Sequence, residues 1–492
     1  MVWKCNISGE TSVRCFVLLA LILAPATAFA KTPSVTVDVD SASPNLLVTD
    51  KILGMNMANW FDQTQAGMAA ALKTGGIRAV RWPGGSASDT FHWQTNTECG
   101  NGYVNPNSTF DNFFTDIVDP DKLDVAVTLD YGSNAACNAG GDPTEAAAWV
   151  AYALAHHEPV SHWTVGNEVY GSWEYDLHQI PHDPTTYANA VANGYYPDIK
   201  AANPKALVGV VVNPGNDPPW DPIVLSQAKY DFVEFHYYAQ APGQESDAYL
   251  VGQASQDFAS AIMAVKTDLA AAGKPDTPIY VGELGSVYSD PGKQSTSITQ
   301  ALFAGQVLGE IMNAGIARAT WWLGFGGCND AAGGGNFSSS LYGWQNFGGY
   351  MVFSDGTPEY GCSNATPVPL GTLLPTARAF QLFALVAKNG EHVRPVTATG
   401  HTSNFRAYAA TAGAGTAVVL FNTDETKKLD VSLGIAGVDS SSGVTTTTYD
   451  RAIYDKSQNN VWAGPEKKSL GAQVMPLKLT LPPWSMTVVQ VK

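Results

Sequence analysis

The sequence predicts an α/β fold, a (β/α)8 TIM barrel followed by a small C-terminal β-sandwich domain. Eight short apolar runs alternate with helix-like segments, as is typical of parallel strands covered by helices. After about residue 388 the helix-like segments stop, and short strand-like runs separated by Gly, Asp, Ser and Pro follow. A doubly wound open sheet is the alternative, but no strand precedes a G-x-G-x-x-G motif, and eight strands close a barrel.

The predicted barrel strands are mostly continuous stretches of Val, Ile, Leu and aromatic residues, as expected for strands buried on both faces. In chain order they are residues 52–60, 77–85, 124–132, 162–170, 206–214, 231–239, 277–285 and 317–326. Helices are predicted between them, among others at residues 66–73, 143–156, 185–202, 254–272 and 297–314. The barrel is therefore expected to span residues 45–387.

Residues 388–492 are predicted to form the β-sandwich and to contain no helix. Its strands are expected near residues 417–421, 428–433, 444–449, 477–481 and 486–491. An alternating run at residues 34–40 comes before the barrel. We expect the segment 31–44 to add a strand to this sandwich and so to join the two ends of the chain.

The first 30 residues, 1–30, have the features of a signal peptide. Lys4 and Arg14 give a positive start, residues 16–23 are apolar, and residues 28–30 read Ala-Phe-Ala, a small-x-small cleavage site. The apolar stretch is too short to anchor the chain in a bilayer. We therefore expect cleavage near Ala30 and a secreted or periplasmic protein, with an uncleaved N-terminal anchor as the alternative.

The composition favours a neutral ligand. Only 14% of the residues are charged, 11% are aromatic, and the formal net charge is −17 without a basic cluster. This balance repels nucleic acid and anionic lipid, so neither is expected as a partner. A neutral carbohydrate that stacks on aromatic faces fits, although composition does not separate a sugar from another neutral ligand. No cofactor and no metal ion are expected.

Four cysteines follow the predicted signal peptide: Cys99, Cys137, Cys328 and Cys362. Their spacing does not fit a metal site, and an oxidising compartment favours disulfides. Of the three possible connectivities, we prefer Cys99–Cys137 with Cys328–Cys362. Free thiols are the alternative.

Two glutamates lie where predicted strands end. Glu168 follows the apolar run that begins at His162, and Glu283 ends the run that begins at Ile279. Strands four and seven of a barrel bring their carboxyl ends to opposite sides of one mouth, where a sugar ring fits between them. A pair of carboxylates in this arrangement is what acid/base-plus-nucleophile cleavage of a glycosidic bond requires. The alternative is two structural salt bridges at the rim of the barrel.

Further polar and aromatic residues occur at the same strand ends, where barrel enzymes gather their reactive groups. They are Arg81, Asp130, Asn167, His236, Tyr238, Trp321 and Trp322. Because the two tryptophans are adjacent on one strand, one faces inward and the other packs against helices, and we choose Trp322 as the inward one. For Arg81 the alternative is a core ion pair, and for His236 and Tyr238 a buried structural role.

These motifs resemble those of known enzymes. Residues 166–168, Gly-Asn-Glu, together with Glu283, resemble the clan-A retaining glycoside hydrolases. Residues 80–85, Val-Arg-Trp-Pro-Gly-Gly, and 236–238, His-Tyr-Tyr, more narrowly resemble the α-L-arabinofuranosidases of family 51 and their relatives. The closing run at 481–491 is similar to the last strand of the β-sandwich in those enzymes. The resemblance covers nearly the whole mature chain.

The resemblance implies roles for the site residues. Glu168 would be the general acid and then the general base, with a pKa raised by burial and by the neighbouring carboxylate. Glu283 would be the nucleophile, kept ionised by Arg81 and by a hydrogen bond from Tyr238.

Three further residues receive roles from the same resemblance. Asn167 would bind the sugar 2-hydroxyl, His236 would shape the hydrogen bonds near Glu168, and Trp322 would form a platform for the sugar. The chain departs from the family pattern at two places. It lacks a glutamate near strand one, and Ser86 follows the Pro-Gly-Gly turn where those enzymes usually have Asn.

The sequence therefore predicts a secreted, retaining glycoside hydrolase that cleaves plant-type polysaccharide or oligosaccharide by double displacement. An α-L-arabinofuranosidase is the leading hypothesis. A β-glycanase on the same scaffold, an endo-xylanase or endo-glucanase, is the alternative enzyme. A non-catalytic carbohydrate-binding protein is the alternative class, although the presence of both glutamates with their supporting groups favours an enzyme.

Overall fold

Eight parallel strands close into a barrel in the computed structural model, which describes residues 32–215, 219–327, 339–343, 348–357, 368–457 and 463–492. The barrel strands are Gly54–Asn56, Ala79–Trp82, Asp124–Leu129, Val160–Val165, Leu207–Val211, Phe232–Gln240, Ile279–Val287 and Arg318–Trp321. They pair in chain order, and the eighth pairs with the first. Each overlaps its predicted run, so the barrel prediction is confirmed and the open sheet is wrong.

Helices connect the barrel strands, and sequence signals mark their ends. Asp142 and Ser297 accept backbone hydrogen bonds at the starts of helices Pro143–Ala155 and Ile298–Ala314, and Gly315 ends the latter in the left-handed conformation. The remaining α-helices are Met68–Gly75, Phe110–Asn112, Pro184–Ala190, Tyr196–Ala202, Trp220–Gln227, Asp247–Gly252, Ala254–Ala271, Pro375–Phe383 and Arg451–Lys456. Shorter turns are the π-helical Phe113–Val118 and Val191–Tyr195 and the 3₁₀-helical Asp50–Ile52, Ser86–Thr90, Cys99–Asn101 and Lys293–Thr296.

The predicted helices are confirmed, with one interruption. The segment predicted as a single helix at 185–202 contains the π-helical turn Val191–Tyr195 between two α-helices. Among the described residues, no helix combines the length and the apolar character that crossing a membrane requires.

The C-terminal part is a sandwich of two sheets. One sheet has the strand order Val396–Gly400, Ser34–Val39, Leu429–Ile435 and Leu477–Leu481. The other has the order Val393–Arg394, Phe405–Ala412, Gly415–Asn422, Ser485–Val491, Ser440–Asp450 and Glu466–Val474. Two-stranded pairs, Phe91–His92 with Thr97–Glu98 and Phe325–Gly326 with Phe353–Ser354, lie outside both sheets.

The N-terminal strand Ser34–Val39 confirms one prediction about the sandwich. It pairs antiparallel with Val396–Gly400 and parallel with Leu429–Ile435, so it belongs to the four-stranded sheet. The expectation of no helix after residue 388 is wrong, because Asp450 caps a short helix, Arg451–Lys456. The predicted domain limits, 31–44, 45–387 and 388–492, stay a prediction.

One of the two predicted disulfides is present. Cys99 and Cys137 are bonded to each other, and the bridge joins the segment after the second barrel strand to the segment after the third. The predicted partners Cys328 and Cys362, and the predicted signal peptide at 1–30, lie outside the described residues.

The six-stranded sheet packs on both of its faces. One face shares a core with the four-stranded sheet, and the other, including Tyr408 and Phe421, belongs to the core of the barrel. Helix Ile298–Ala314 approaches this second face through Gly305 and Gly309. A Cβ at position 309 would lie 2.3 Å from the ring of Tyr408. Glycine in this helix therefore permits close contact between barrel and sandwich.

We expect Gly309→Ala to destabilise the protein. Alanine gains about 1 kcal/mol in helix propensity, but overpacking against the buried Tyr408 ring costs about 1–3 kcal/mol, so the free energy of unfolding should fall. Urea unfolding measures the change. Gly252→Ala is the control, because no neighbouring atom would lie within 4 Å of a Cβ added at that position. Equal stability of Gly309→Ala and wild type would contradict the close packing.

Candidate active site

The two glutamates of the predicted pair lie at the carboxyl ends of barrel strands four and seven. Glu283 is part of strand Ile279–Val287, and Glu168 follows strand Val160–Val165 in a tight turn. Gly166 opens this turn with φ 76°, and a Cβ there would lie 2.5 Å from the Val169 side chain. Glu168 itself has φ 39°, in the left-handed region that few non-glycine residues adopt. The surrounding structure therefore holds Glu168 in a costly backbone conformation.

Both carboxylate oxygens of Glu283 accept hydrogen bonds. The Tyr238 hydroxyl donates to Oε2 at 2.5 Å, and Arg81 Nη1 donates to Oε1 at 3.1 Å. Only 5% of Glu283 is exposed. The preceding Gly282 is required by this packing, because a Cβ there would lie 2.0 Å from Oε1 of Glu234. The contacts that the sequence predicted for Glu283 are thus present.

Arg81 is a fully buried cation surrounded by oxygen atoms. Besides Glu283, it donates from Nη1 to Asn56 Oδ1 at 2.9 Å and from Nη2 to Asn167 Oδ1 at 2.7 Å. Its Nε lies 3.0 Å from Oε1 of Glu234. Burial lowers the pKa of Arg81, but the charges of Glu234 and Glu283 outweigh burial, and the net pKa is raised. Arg81 therefore stays charged in the barrel interior.

Glu168 is also bonded through both oxygens. His236 Nδ1 lies 2.8 Å from Oε1, and Trp173 Nε1 donates to Oε2 at 2.9 Å. Burial raises the pKa of Glu168, but the hydrogen bond and charge of His236, the Trp173 bond and the charge of Arg81 outweigh it, and the net pKa is lowered. The prediction of a raised pKa is therefore wrong, because a cationic histidine faces this carboxylate.

The two ring nitrogens of His236 both face carboxylates. Nδ1 faces Glu168, and Nε2 lies 3.2 Å from Oε1 of Glu234. Burial lowers the pKa of His236, but the charge of Glu283 and the hydrogen bonds to Glu168 and Glu234 outweigh burial and raise it to about 10. At neutral pH the site therefore holds an imidazolium beside the Glu168 carboxylate.

Glu234 connects Arg81, which bonds Glu283, with His236, which bonds Glu168. Its Oε1 contacts both Arg81 and His236, and its Oε2 accepts a hydrogen bond from Thr164. Burial raises the pKa of Glu234, but the charge of Arg81 and the bond and charge of His236 outweigh burial and lower it. A carboxylate with no exposed surface is thus balanced by two cations.

The carboxylates of the pair lie close together. A carboxylate oxygen of Glu168, one of Glu283 and a ring nitrogen of His236 are all within 4.8 Å of one another. Together with Glu234 and Arg81, these groups carry one net negative charge. Positive charge that develops on a ring between the two glutamates would therefore be stabilised.

Among the described residues, two clusters have the residue types of a metal site: the group of Glu168, His236 and Glu283, and one other. The other cluster consists of His92, Cys99 and Cys137. Because the two cysteines are bonded to each other, their sulfurs are not thiolate ligands.

Asn167 immediately precedes Glu168 in the turn after strand four. Its side-chain Nδ2 donates to Glu174 Oε1 at 3.0 Å, and its backbone N–H donates to Asp89 Oδ2 at 3.0 Å. Ser86, which follows the Pro-Gly-Gly turn, donates to the same oxygen of Glu174 at 2.9 Å. Asn167 is thus fixed by Arg81 on one side and by two buried acids on the other.

The adjacent tryptophans separate as the sequence indicated. Trp321 is buried, and its ring contacts Phe303 and Phe380 on the surrounding helices. Trp322 is partly exposed, and its ring meets Trp60 edge-on at 6.2 Å between centroids. A Cβ at Gly85 would lie 2.5 Å from the Trp322 ring, so glycine at this turn makes room for it. The role of Trp322 as a platform for sugar stays a prediction.

Sequence reasoning missed several residues of the site: Asn56, Asp89, Glu174 and Glu234. A signal existed for Glu234, because it precedes His236 by two positions on one strand and therefore shares its face. Asn56 ends strand one, a position that strand counting also marks. Glu174 and Asp89 lie outside the barrel strands, where no periodic pattern indicates direction.

No protein-family model matches the chain, and no curated protein sequence matches it. Solved structures do. The α-L-arabinofuranosidase of Thermotoga maritima, in an arabinose complex, is 16% identical over 93% of this chain and 100% of that chain, with a TM-score of 0.71. A GH51 arabinofuranosidase from Xanthomonas axonopodis pv. citri is 17% identical over 94% and 100%, with a TM-score of 0.68.

A third similar structure belongs to an enzyme with a different activity. It is a bifunctional glucanase-xylanase from a metagenome library, 14% identical over 94% of this chain and 99% of that chain, with a TM-score of 0.64. At these identities the similarity concerns the fold. The chain has the fold of GH51-type glycoside hydrolases, and the resemblance that the motifs indicated is confirmed at that level.

We expect the imidazolium of His236 to make stability depend on pH. Its pKa is about 10 in the folded protein against an ordinary 6.5, so the native state binds more protons between these values and its stability falls as pH rises. The difference in free energy of unfolding between wild type and His236→Gln should therefore shrink from pH 6.5 to pH 10. Urea unfolding at several pH values measures it, and a constant difference would contradict a protonated His236.

Proposed function

We propose that the protein is a retaining glycoside hydrolase in which Glu168 and Glu283 cleave a glycosidic bond by double displacement. The pair of carboxylates carries this proposal, because their oxygens lie within 4.8 Å and each carboxylate has its own set of partners. Retaining enzymes separate these groups by about 5–5.5 Å, and inverting enzymes by about 6.5–9.5 Å to admit water. The short distance supports retention.

In the first step, Glu283 attacks the anomeric carbon while the leaving oxygen receives a proton from Glu168. That proton is held on His236 Nδ1 and passes along the 2.8 Å hydrogen bond to Glu168 Oε1. The bond from carbon to the leaving oxygen breaks as the bond from carbon to Glu283 forms. Arg81 and Tyr238 orient the nucleophile through their hydrogen bonds.

In the second step, Glu168 acts as the base. It takes a proton from water, whose oxygen attacks the anomeric carbon of the glycosyl-enzyme and releases Glu283 as a carboxylate. The proton returns from Glu168 to His236 Nδ1, so the starting charges are restored. Two displacements at one carbon give a product with the configuration of the substrate.

The proposed substrate is a neutral, plant-type polysaccharide or oligosaccharide, with an α-L-arabinofuranoside as the leading choice. Asn167 would bind the sugar 2-hydroxyl, and the ring of Trp322 would support the apolar side of the sugar. Two of the similar structures are named arabinofuranosidases, which supports this choice. The similar glucanase-xylanase keeps a β-glycanase as the second candidate.

We further propose that the protein is exported and cleaved near Ala30. The charged start, the apolar run at 16–23 and the small-x-small site support export. The Cys99–Cys137 disulfide adds support, because such bridges persist in oxidising compartments.

We expect Glu168→Ala and Glu283→Ala to lose at least about 10³-fold in kcat on an aryl glycoside while remaining folded. Azide should rescue both variants with opposite stereochemistry. In Glu168→Ala it attacks the glycosyl-enzyme and gives a glycosyl azide of retained configuration, whereas in Glu283→Ala it attacks the substrate directly and inverts it. NMR of the azides identifies the two roles.

Glu158→Ala is the control for these variants. Glu158 precedes strand four at the end away from the active site, so full activity is expected. An NMR time course of wild-type hydrolysis tests retention separately, and a first-formed product of inverted configuration would contradict double displacement.

A substrate panel tests the specificity. We expect the highest kcat/KM on aryl α-L-arabinofuranoside among aryl α-L-arabinofuranoside, β-xyloside and β-glucoside, with release of arabinose from the matching polymer. A preference for β-linked polymers would favour the β-glycanase. Binding of oligosaccharide without cleavage of any member would favour the non-catalytic class and contradict the enzyme.

A further inference from the structure

The side chain of Asn167 is oriented by a partner at each end of its amide. Its oxygen accepts from Arg81 Nη2 at 2.7 Å, and its nitrogen donates to Glu174 Oε1 at 3.0 Å. An amide has two N–H donors and two acceptor lone pairs, so one N–H of Asn167 is not used by Glu174. The cation at one end and the acceptor at the other also exclude the flipped amide, in which N–H groups would face Arg81.

Glu174 is itself firmly held. Only 5% of it is exposed, and Ser86 Oγ donates to the same Oε1 that accepts from Asn167. Its other oxygen, Oε2, is buried and has no hydrogen-bond partner among the described residues. Oε1 of Glu174 therefore accepts hydrogen bonds from both Ser86 and Asn167, whereas Oε2 is not bonded to the Asn167 amide.

The electrostatic surroundings keep Glu174 uncharged at neutral pH. The titratable groups that act on it or respond to it are Glu168, Glu283, Asp89 and Tyr170. Burial, followed by the charge of Glu168, raises the pKa of Glu174 to about 8. Glu174 thus supplies an acceptor oxygen to Asn167 without adding another negative charge beside the two catalytic candidates.

We propose that Glu174 is a positioning residue, which orients Asn167 so that its second N–H is presented to the 2-hydroxyl of the bound sugar. The inference rests on the proposed function and extends it to a residue that does not touch the reacting atoms. Because the contact with the 2-hydroxyl strengthens in the transition state, a loosened Asn167 affects kcat more than KM.

The test compares two substrates in Glu174→Met, which keeps the side-chain volume and removes the acceptor. The substrates are the aryl glycoside that wild type cleaves and its 2-deoxy analogue. On the parent glycoside we expect kcat to fall roughly 10-fold or more, with a smaller change in KM. On the 2-deoxy analogue, which lacks the hydroxyl, the loss should be less than about 2-fold.

Two further variants separate positioning from general damage. Glu174→Gln can still present an oxygen to Asn167 and should restore most of the activity that Glu174→Met loses. Glu310→Met removes another largely buried carboxyl, one that accepts from Tyr408 on the sandwich side, and should leave the ratio of rates on the two substrates unchanged.

The possible failures are distinguishable. If Glu174→Met loses activity equally on both substrates, or if Glu174→Gln restores nothing, the positioning role is wrong while the hydrolase proposal stands. If wild type cleaves no glycoside although it is folded, the proposed function fails, and this inference fails with it.

Discussion

The site depends on the burial of a guanidinium, Arg81, at the centre of the barrel mouth. It contacts the nucleophile candidate Glu283, the buried carboxylate of Glu234 and the amides of Asn56 and Asn167. Loss of one partner from a buried ion pair costs about 3–5 kcal/mol, because the remaining charge is left without compensation. Arg81 lies on strand two, and these partners come from strands one, six and seven and from the turn after strand four, so the barrel has to close before the charges balance.

Glycines on the barrel strands permit close packing around Arg81 and its partners. Gly282 leaves space for the carboxylate of Glu234, and Gly54 lies where a Cβ would meet the backbone oxygen of Ala319 at 2.3 Å. A barrel interior is normally filled by layers of branched apolar side chains. Here, Gly282 instead leaves space for a buried polar side chain, that of Glu234. A methyl group at Gly282 would therefore disturb the packing of the strand and the position of the Glu234 carboxylate.

The sequence predicted what strand order alone determines. Apolar runs located the barrel strands, and strand ends located Glu168, Glu283, Arg81 and Tyr238, because parallel strands bring their carboxyl ends to one rim. Contacts that cross the barrel interior could not be read in this way. The most important example is Glu234, whose contacts with Arg81 and His236 depend on side-chain packing. For the same reason, the sequence predicted a raised pKa for Glu168, whereas the contacts of its carboxylate lower that pKa.

The lowered pKa of Glu168 is compatible with acid catalysis once the charges are followed through the proposed reaction. The negative charge of Glu283 is the largest contribution that raises the pKa of His236. As Glu283 forms a bond to the sugar it loses this charge, so His236 holds its proton less tightly and passes it to Glu168. The leaving oxygen, which gains electrons at the same moment, takes it. In the proposed reaction, bond formation at Glu283 would therefore favour release of the proton towards the leaving oxygen.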